Sequence, residues 1–180
     1  MATITTTTDV VLLAIDAVDF HECFADCPQL VAEFIVRMKG RNVDLRSALN
    51  HYETRTLFTP FVKEQHGIEN LKFYDEIENF RSSFNSMSED EVERAAQSIV
   101  QRYLTQGATD AINVSHEIYQ RTQDIVLNRK YGADMFAQPQ NEILKLMEQD
   151  VFARFKKSEE FNSLLSKIRF YDELDSQLLA

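Results

Sequence analysis

The chain is predicted to be all-α, with about eight or nine short helices, and three observations predict it. Apolar residues recur at helical spacing along most of the 180 residues. No alternation of period two persists, and no Asn-Gly or Asp-Gly hairpin turn occurs. Only four glycines and three prolines are present, and nearly all of them punctuate the periodic stretches.

The opening "MATITTTT" is low in complexity and is expected to be disordered. A first helix is expected from about Asp9 to Phe20. A second opens with Pro28 in its first turn, where a missing N–H costs nothing, and ends at Gly40. A short helix follows Asp44 in "DLRSALNH". The next covers about Thr54–Gln65 and stops at Gly67, with Pro60 near its start or bending it. Leu71, Tyr74, Ile77 and Phe80 mark a helix from Ile68 to about Ser82. "SMSEDE" offers two overlapping capping boxes, Ser86 with Glu89 and Ser88 with Glu91. They precede a helix carrying Val92, Ala95, Ile99 and Tyr103 that ends near Gly107. Ser115 is placed to cap "HEIYQRTQDIVLNRK".

A loop around Gly132 leads to Pro139 and a long helix through "NEILKLMEQDVFARFKKSEEF". Ile143, Leu144, Met147, Val151 and Phe155 fall on one arc of it, a core stripe. Leu146 sits on the edge of that arc, one turn before Asp150, which is one turn before Arg154. A leucine, an acid and a base thus run along the rim of a buried face. Ser158 then precedes Glu159 and Glu160, acids favoured at the positive end of the last helix, which fades by Leu178.

The length suits one domain, or a domain with an appendage, able to bury roughly 70% of its unfolded surface without a metal or disulfide. Thirteen Phe and six Tyr with no Trp suggest an aromatic core. Lys+Arg 19 against Asp+Glu 29 gives a net charge of −10. That disfavours nucleic acid, whose binding rests on clustered Lys and Arg, and docking to anionic lipid. A basic patch on a partner protein is the natural complement. No apolar run reaches the length of a membrane span, and "VVLLAIDAV", broken by Asp16 and without a basic leader, is not read as a signal peptide. Cys23 and Cys27 read as small half-buried residues in a reducing cell. Asp75, Glu76 and Glu78 read as a solvated helix face. There is no glycine-rich phosphate loop, HExxH, CxxC or GxSxG, and the four histidines are scattered. Neither a cofactor, a metal nor a catalytic centre of its own is expected.

Three separated stretches resemble the RGS family, the regulators of G protein signalling. In "LFTPFVKEQHGIENLKFYDEIENF" an apolar helix ends in a polar turn, followed by Glu69-Asn70-Leu71 and the aromatic pair Phe73-Tyr74. "INVS" puts Asn113 in the loop between two middle helices. "LMEQDVFARFKKSEEF" is similar to the pattern L-M-x-x-D-x-[YF]-x-R-F-x-x-S and is the most specific of the three. The resemblance covers about residues 43–167.

The resemblance implies a helical fold of two parts: an antiparallel four-helix bundle, here about 68–155, and a terminal subdomain packing the first few helices against the last. Residues 1–27 would be an N-terminal extension, 28–170 the RGS domain, and 171–180 a tail or helix extension. It implies binding to the α subunit of a heterotrimeric G protein (Gα) in its GTP-bound or transition state, and faster GTP hydrolysis there. The contacts would be Glu69, Asn70, Asn113, Leu146, Asp150 and Arg154, clustered at one end of the bundle. His66, Ser115 and His116 depart from the family's usual aromatic, acid and serine and would lie on the contact rim. Tyr74 replaces a usual tryptophan, a core change. The protein is expected to be a cytoplasmic monomer recruited to the inner face of the plasma membrane through Gα, without membrane insertion. The alternative is an RGS-like scaffold that binds a partner without accelerating hydrolysis.

Overall fold

The computed structural model describes residues 5–11 and 14–178, except for the side chains of 17, 21 and 169–178. Helix α1, Ala17–Cys23, is shorter than expected and shifted towards the C-terminus. Asp16 is extended and its carboxylate accepts the Asp19 N–H at 2.8 Å, so the helix begins only after it. The part of the expected helix at 12–13, and the first four residues, lie outside the described residues.

Helix α2, Pro28–Lys39, opens on its proline and ends at Gly40, whose φ of 52° suits glycine. Asp44 caps α3, Leu45–Asn50, by accepting the Ser47 N–H at 2.9 Å. Helix α4, Tyr52–Glu64, starts two residues earlier than expected because His51 acts as its cap, Nδ1 accepting the Thr54 N–H at 3.3 Å. Pro60 lies well inside this helix on an exposed position, not near its start. Helix α5 spans Ile68–Ser83. Ahead of α6, Glu89–Ile99, only the second capping box forms, Ser88 with Glu91. The first is lost because Ser86 ends a 3-10 turn and donates its hydroxyl to the Ser83 carbonyl instead.

Helix α6 runs on into a π turn, Val100–Leu104. Helix α7, His116–Leu127, ends three residues before Lys130, with Arg129 at a φ of 52°. Helix α8, Ala137–Met147, continues through a second π turn, Glu148–Phe152, into α9, Ala153–Phe155. The last helix, α10, is Glu159–Leu178. With α8 and α9 taken as one run, the described residues hold nine helices and no strand.

Cross-helix contacts fix the bundle's directions. Arg81, late in α5, donates to Gln140, early in α8, while Asn70 at the start of α5 shares a cleft with Asp150 beyond the end of α8. Tyr103, in the π turn after α6, donates to Glu76 of α5 at 2.7 Å. Arg129, after α7, pairs with Glu93 near the start of α6. Arg121 of α7 reaches Gln138 at the head of α8, while Ser115 before α7 meets Glu142 further along. Helices α5 to α8 are therefore antiparallel to their neighbours.

The second group packs α2, α3 and α4 against α10, with Arg41 bonded to Asn162 and Glu33 to His51. One continuous core joins the two groups, and an aromatic knot sits at the joint. Phe155 lies 5.1 Å from Phe58 and 5.2 Å from Phe161, ring centre to ring centre, and all three are fully buried. Each such ring contributes roughly 1.5–3 kcal/mol by leaving water. The stripe of Ile143, Leu144, Met147, Val151 and Phe155 is buried as its spacing predicts, and Tyr74 is a core residue.

Two readings of the sequence are corrected. Cys23 and Cys27 are exposed, not half-buried, because they sit at the end of α1 and before α2 with few neighbours. Asp75, Glu76 and Glu78 are only partly solvated, with side chains 31–40% exposed. Each ties α5 to a different neighbour: Asp75 to Arg55 of α4, Glu76 to Tyr103 after α6, Glu78 to Gln140 of α8.

Candidate protein-binding site

The turn between α4 and α5 builds one wall of the site. His66 N–H donates to the Lys63 carbonyl at 3.1 Å and Gly67 N–H to the Val62 carbonyl at 3.2 Å, the double bond of a Schellman motif. His66 occupies the left-handed position that glycine favours, at a φ of 55°, and its side chain is exposed. Asn70 follows in the first turn of α5, with Glu69 beside it.

The end of α8 builds the opposite wall. Gln65, Gly67, Asn70, Leu146, Met147, Asp150, Val151 and Arg154 line a shallow cleft of about 180 Å³. Arg154 spans its mouth, one N–H donating to Gln65 Oε1 at 2.6 Å and another to Asp150 Oδ2 at 3.1 Å. Leu146 is 43% exposed, which fits its position on the edge of the buried arc.

The loop 105–115 approaches from the side and is pinned to the bundle. Asp110 accepts from Lys72 of α5 at 3.0 Å and from Arg102 at 2.8 Å. Those two cations, Arg102 first, hold its carboxyl below the ordinary value. Ile112 N–H donates to the Tyr103 carbonyl at 2.9 Å. Tyr103 is in turn held by Glu76, and its burial together with that carboxylate pushes the phenol well above the ordinary range. Ser115 is the N-cap of α7 by position but does not cap with its side chain; its N–H and hydroxyl turn to Glu142 of α8. Asn113, between these pins, is exposed.

Of the six contacts expected from the sequence, Asn70, Leu146, Asp150 and Arg154 line one cleft, Glu69 adjoins it, and Asn113 stands on the loop tied to the same end. His66 lies on the turn beside the cleft, and Ser115 and His116 begin α7 at that end. The side chains of His66, Glu69, Asn70 and Asn113 make no hydrogen bond among the described residues, so their donors and acceptors are open to a partner. Both π turns also fall here, one running into the pinned loop and one containing Asp150; such wide turns recur at functional sites. Among the described residues no three His, Cys, Asp or Glu gather as a metal site would require, and no helix is long and apolar enough to cross a membrane.

Sequence reasoning missed Gln65, Lys72, Asp110 and Glu142. Their partners lie 89, 38 and 27 positions away, and no local pattern announces such pairs.

Comparison with known proteins agrees with this geometry. The family profile described as "Regulator of G protein signaling domain" matches residues 44–164. The chain is 30% identical over 143 residues to mouse "Regulator of G-protein signaling 7", an alignment covering 79% of this chain and 29% of that protein. It is 30% identical over 129 residues to human "Regulator of G-protein signaling 6", covering 72% and 26%. It is 29% identical over 108 residues to Drosophila melanogaster "Regulator of G-protein signaling loco", covering 59% and 7%. The alignments thus span under a third of these relatives' lengths. An all-helical bundle with this cleft, and a family match across most of the chain, make the protein a member of the regulator of G protein signaling domain family.

Proposed function

We propose that the protein binds the α subunit of a heterotrimeric G protein and accelerates its GTP hydrolysis, with residues 28–170 forming the active domain. The observation that carries this reading is the cleft between α5 and α8. It offers an exposed leucine, a carboxylate held by Arg154 and the unpaired amide of Asn70 at one end of the bundle, with the unpaired amide of Asn113 on the loop beside it. Gα supplies its own arginine and a glutamine that orients the attacking water, so an accelerator need donate no catalytic group. It need only bind the mobile switch segments better in their transition-state shape than in the ground state.

An amide suits that task, because it donates and accepts in one fixed plane. Asn113 is assigned to the neighbourhood of the Gα glutamine and switch backbone, and Asn70 braces the switch from below. Asp150 accepts from switch N–H groups or a hydroxyl, with Arg154 holding its rotamer. Leu146 supplies an apolar anchor, and Glu69, His66, Ser115 and His116 form the rim. The protein acts as a monomer in the cytoplasm, brought to the inner face of the plasma membrane by Gα itself.

The test is single-turnover GTP hydrolysis by a panel of Gα proteins, with binding to their GDP, GTP-analogue and GDP–aluminium fluoride forms. Faster hydrolysis and preference for the aluminium fluoride form are expected, both reduced by Asn113→Ala. Binding without acceleration would favour a scaffold, and an unchanged Asn113→Ala would refute the assigned mechanism.

A further inference from the structure

We propose that Glu142 is the positioning residue for Asn113, and that Ser115 and Glu142 form a matched pair in which the carboxylate sits on the bundle instead of on the loop. The inference rests on the Gα reading above for its functional consequence, and on the free protein's geometry for the rest.

Ser115 N–H faces both oxygens of Glu142, at 3.2 Å and 3.1 Å, and its hydroxyl donates to Oε2 at 3.3 Å. One carboxylate thus takes both donors of the residue that begins α7. Ser115 makes no side-chain bond to its own helix, and Glu142 takes the Ser115 N–H from across the bundle, the bond that an acid at the third helical position would make locally. The placement is favourable, because the positive end of α7, a helix of 12 residues, meets a negative group.

Asn113 is held on its other side by the Ile112–Tyr103 backbone bond, and its own side chain is bonded to nothing in the described chain. Its flanking residues Ile112 and Val114 pack against the core, and the hydrogen bonds nearest to it along the chain are those of Ile112, one residue before, and Ser115, two residues after. Glu142 is also one helical turn before Leu146, so the same bond draws the loop alongside the cleft. With an acid at 115, two carboxylates would face each other at about 3 Å, and the loop would be pushed away. Serine at 115 and glutamate at 142 fit one another.

The experiment combines variants of both residues with two readouts. In Gα assays, Glu142→Ala is expected to lower acceleration about tenfold, since misplacing a binding group carries such costs. Ser115→Asp is expected to do the same, and Ser115→Asp with Glu142→Lys to restore most of it by reversing the pair. In an Asn113→Ala background, Glu142→Ala should add little, because it acts through a side chain already gone. Equal losses in both backgrounds, or no rescue by the reversed pair, would overturn the proposal. The second readout needs no Gα: amide order parameters of residues 111–115 in the free protein should fall in Glu142→Ala and recover in the reversed pair. Unchanged order there would also overturn it, whereas failure of the unaltered protein to accelerate any Gα would count only against the function proposed above.

Discussion

Arg154 and Gln65 stand 89 positions apart in the chain, yet the guanidinium of one donates to the side-chain oxygen of the other at 2.6 Å. The same guanidinium reaches Asp150 at 3.1 Å. It therefore fixes a carboxylate in the rim and joins the end of α8 and α9 to the turn after α4.

Removing that link should separate stability from binding. Arg154 and Asp150 are well exposed, and exposed ion pairs contribute at most about 0.5–1 kcal/mol. Arg154→Ala is expected to shift urea unfolding by no more than that. It should weaken binding to the GDP–aluminium fluoride form of Gα by about tenfold, because Asp150 then samples other rotamers. Calorimetric titration beside urea denaturation checks both halves.

His66 invites the opposite change. A side chain at its φ of 55° costs about 1 kcal/mol relative to glycine. His66→Gly is therefore expected to stabilise the protein by about 0.5–1 kcal/mol. If the imidazole touches Gα, the same substitution weakens binding, so that stability and affinity move in opposite directions. A denaturation midpoint that falls would remove the strain argument.

Gln140 is 1% exposed and serves three groups: it accepts from Arg81 at 2.9 Å and donates to Glu78 at 2.6 Å and to the Tyr74 carbonyl at 3.4 Å. Gln140→Ala leaves those partners short of bonds in a half-buried place and should cost about 2–3 kcal/mol. Gln140→Glu brings a second carboxylate against Glu78 and should be no better. Urea unfolding followed by circular dichroism measures this.

Phe155 is the core counterpart. Truncating it to alanine should cost about 3–5 kcal/mol, since it opens a cavity where the helix groups meet. Loss of cooperativity, seen as two separate unfolding transitions, would show that the joint rather than either group alone had failed.

The loop pins carry a pH dependence. Asp110 is held below its ordinary value of 3.8 by Arg102 and Lys72. A depressed carboxyl contributes its full stabilisation above the unfolded value and loses it as pH falls through the lower folded one. Loop 105–115 should therefore be indifferent to pH from 5 to 8 and loosen only below about pH 4. Carbon-13 shifts of the Asp110 carboxyl report this, and a midpoint at or above the ordinary value would contradict it.

Much of this was legible along the chain. The glycine after Lys39, the Ser88 and Glu91 box and the buried arc with Leu146 at its edge are local patterns, and locality is what one sequence displays well. The cap at Asp16 was equally local but was outweighed by the apolar run before it, which led to a helix too early. The acids at 75, 76 and 78 read as a wet face and are half that: they keep partial exposure, while their ties to three neighbouring elements depend on partners the local sequence does not name. Asn113 stands out in the sequence only through the motif around it, while the bond between Ser115 and Glu142 depends on α7 and α8 lying antiparallel, which no short window contains.

The wide turns at Val100–Leu104 and Glu148–Phe152 have a consequence for how the chain tolerates change. Each holds a surplus residue within a helical run, and a helix advances by about 100° per residue. Cutting one residue from 148–152 would let the wide turn close to an ordinary α turn with Arg154 and Phe155 still in register, whereas adding one would swing everything downstream round the axis, carrying Arg154 off Gln65 and Phe155 out of its aromatic nest together. Length there is constrained in one direction: the surplus residue can be given up, but an insertion that a surface loop would absorb has no harmless setting in this stretch.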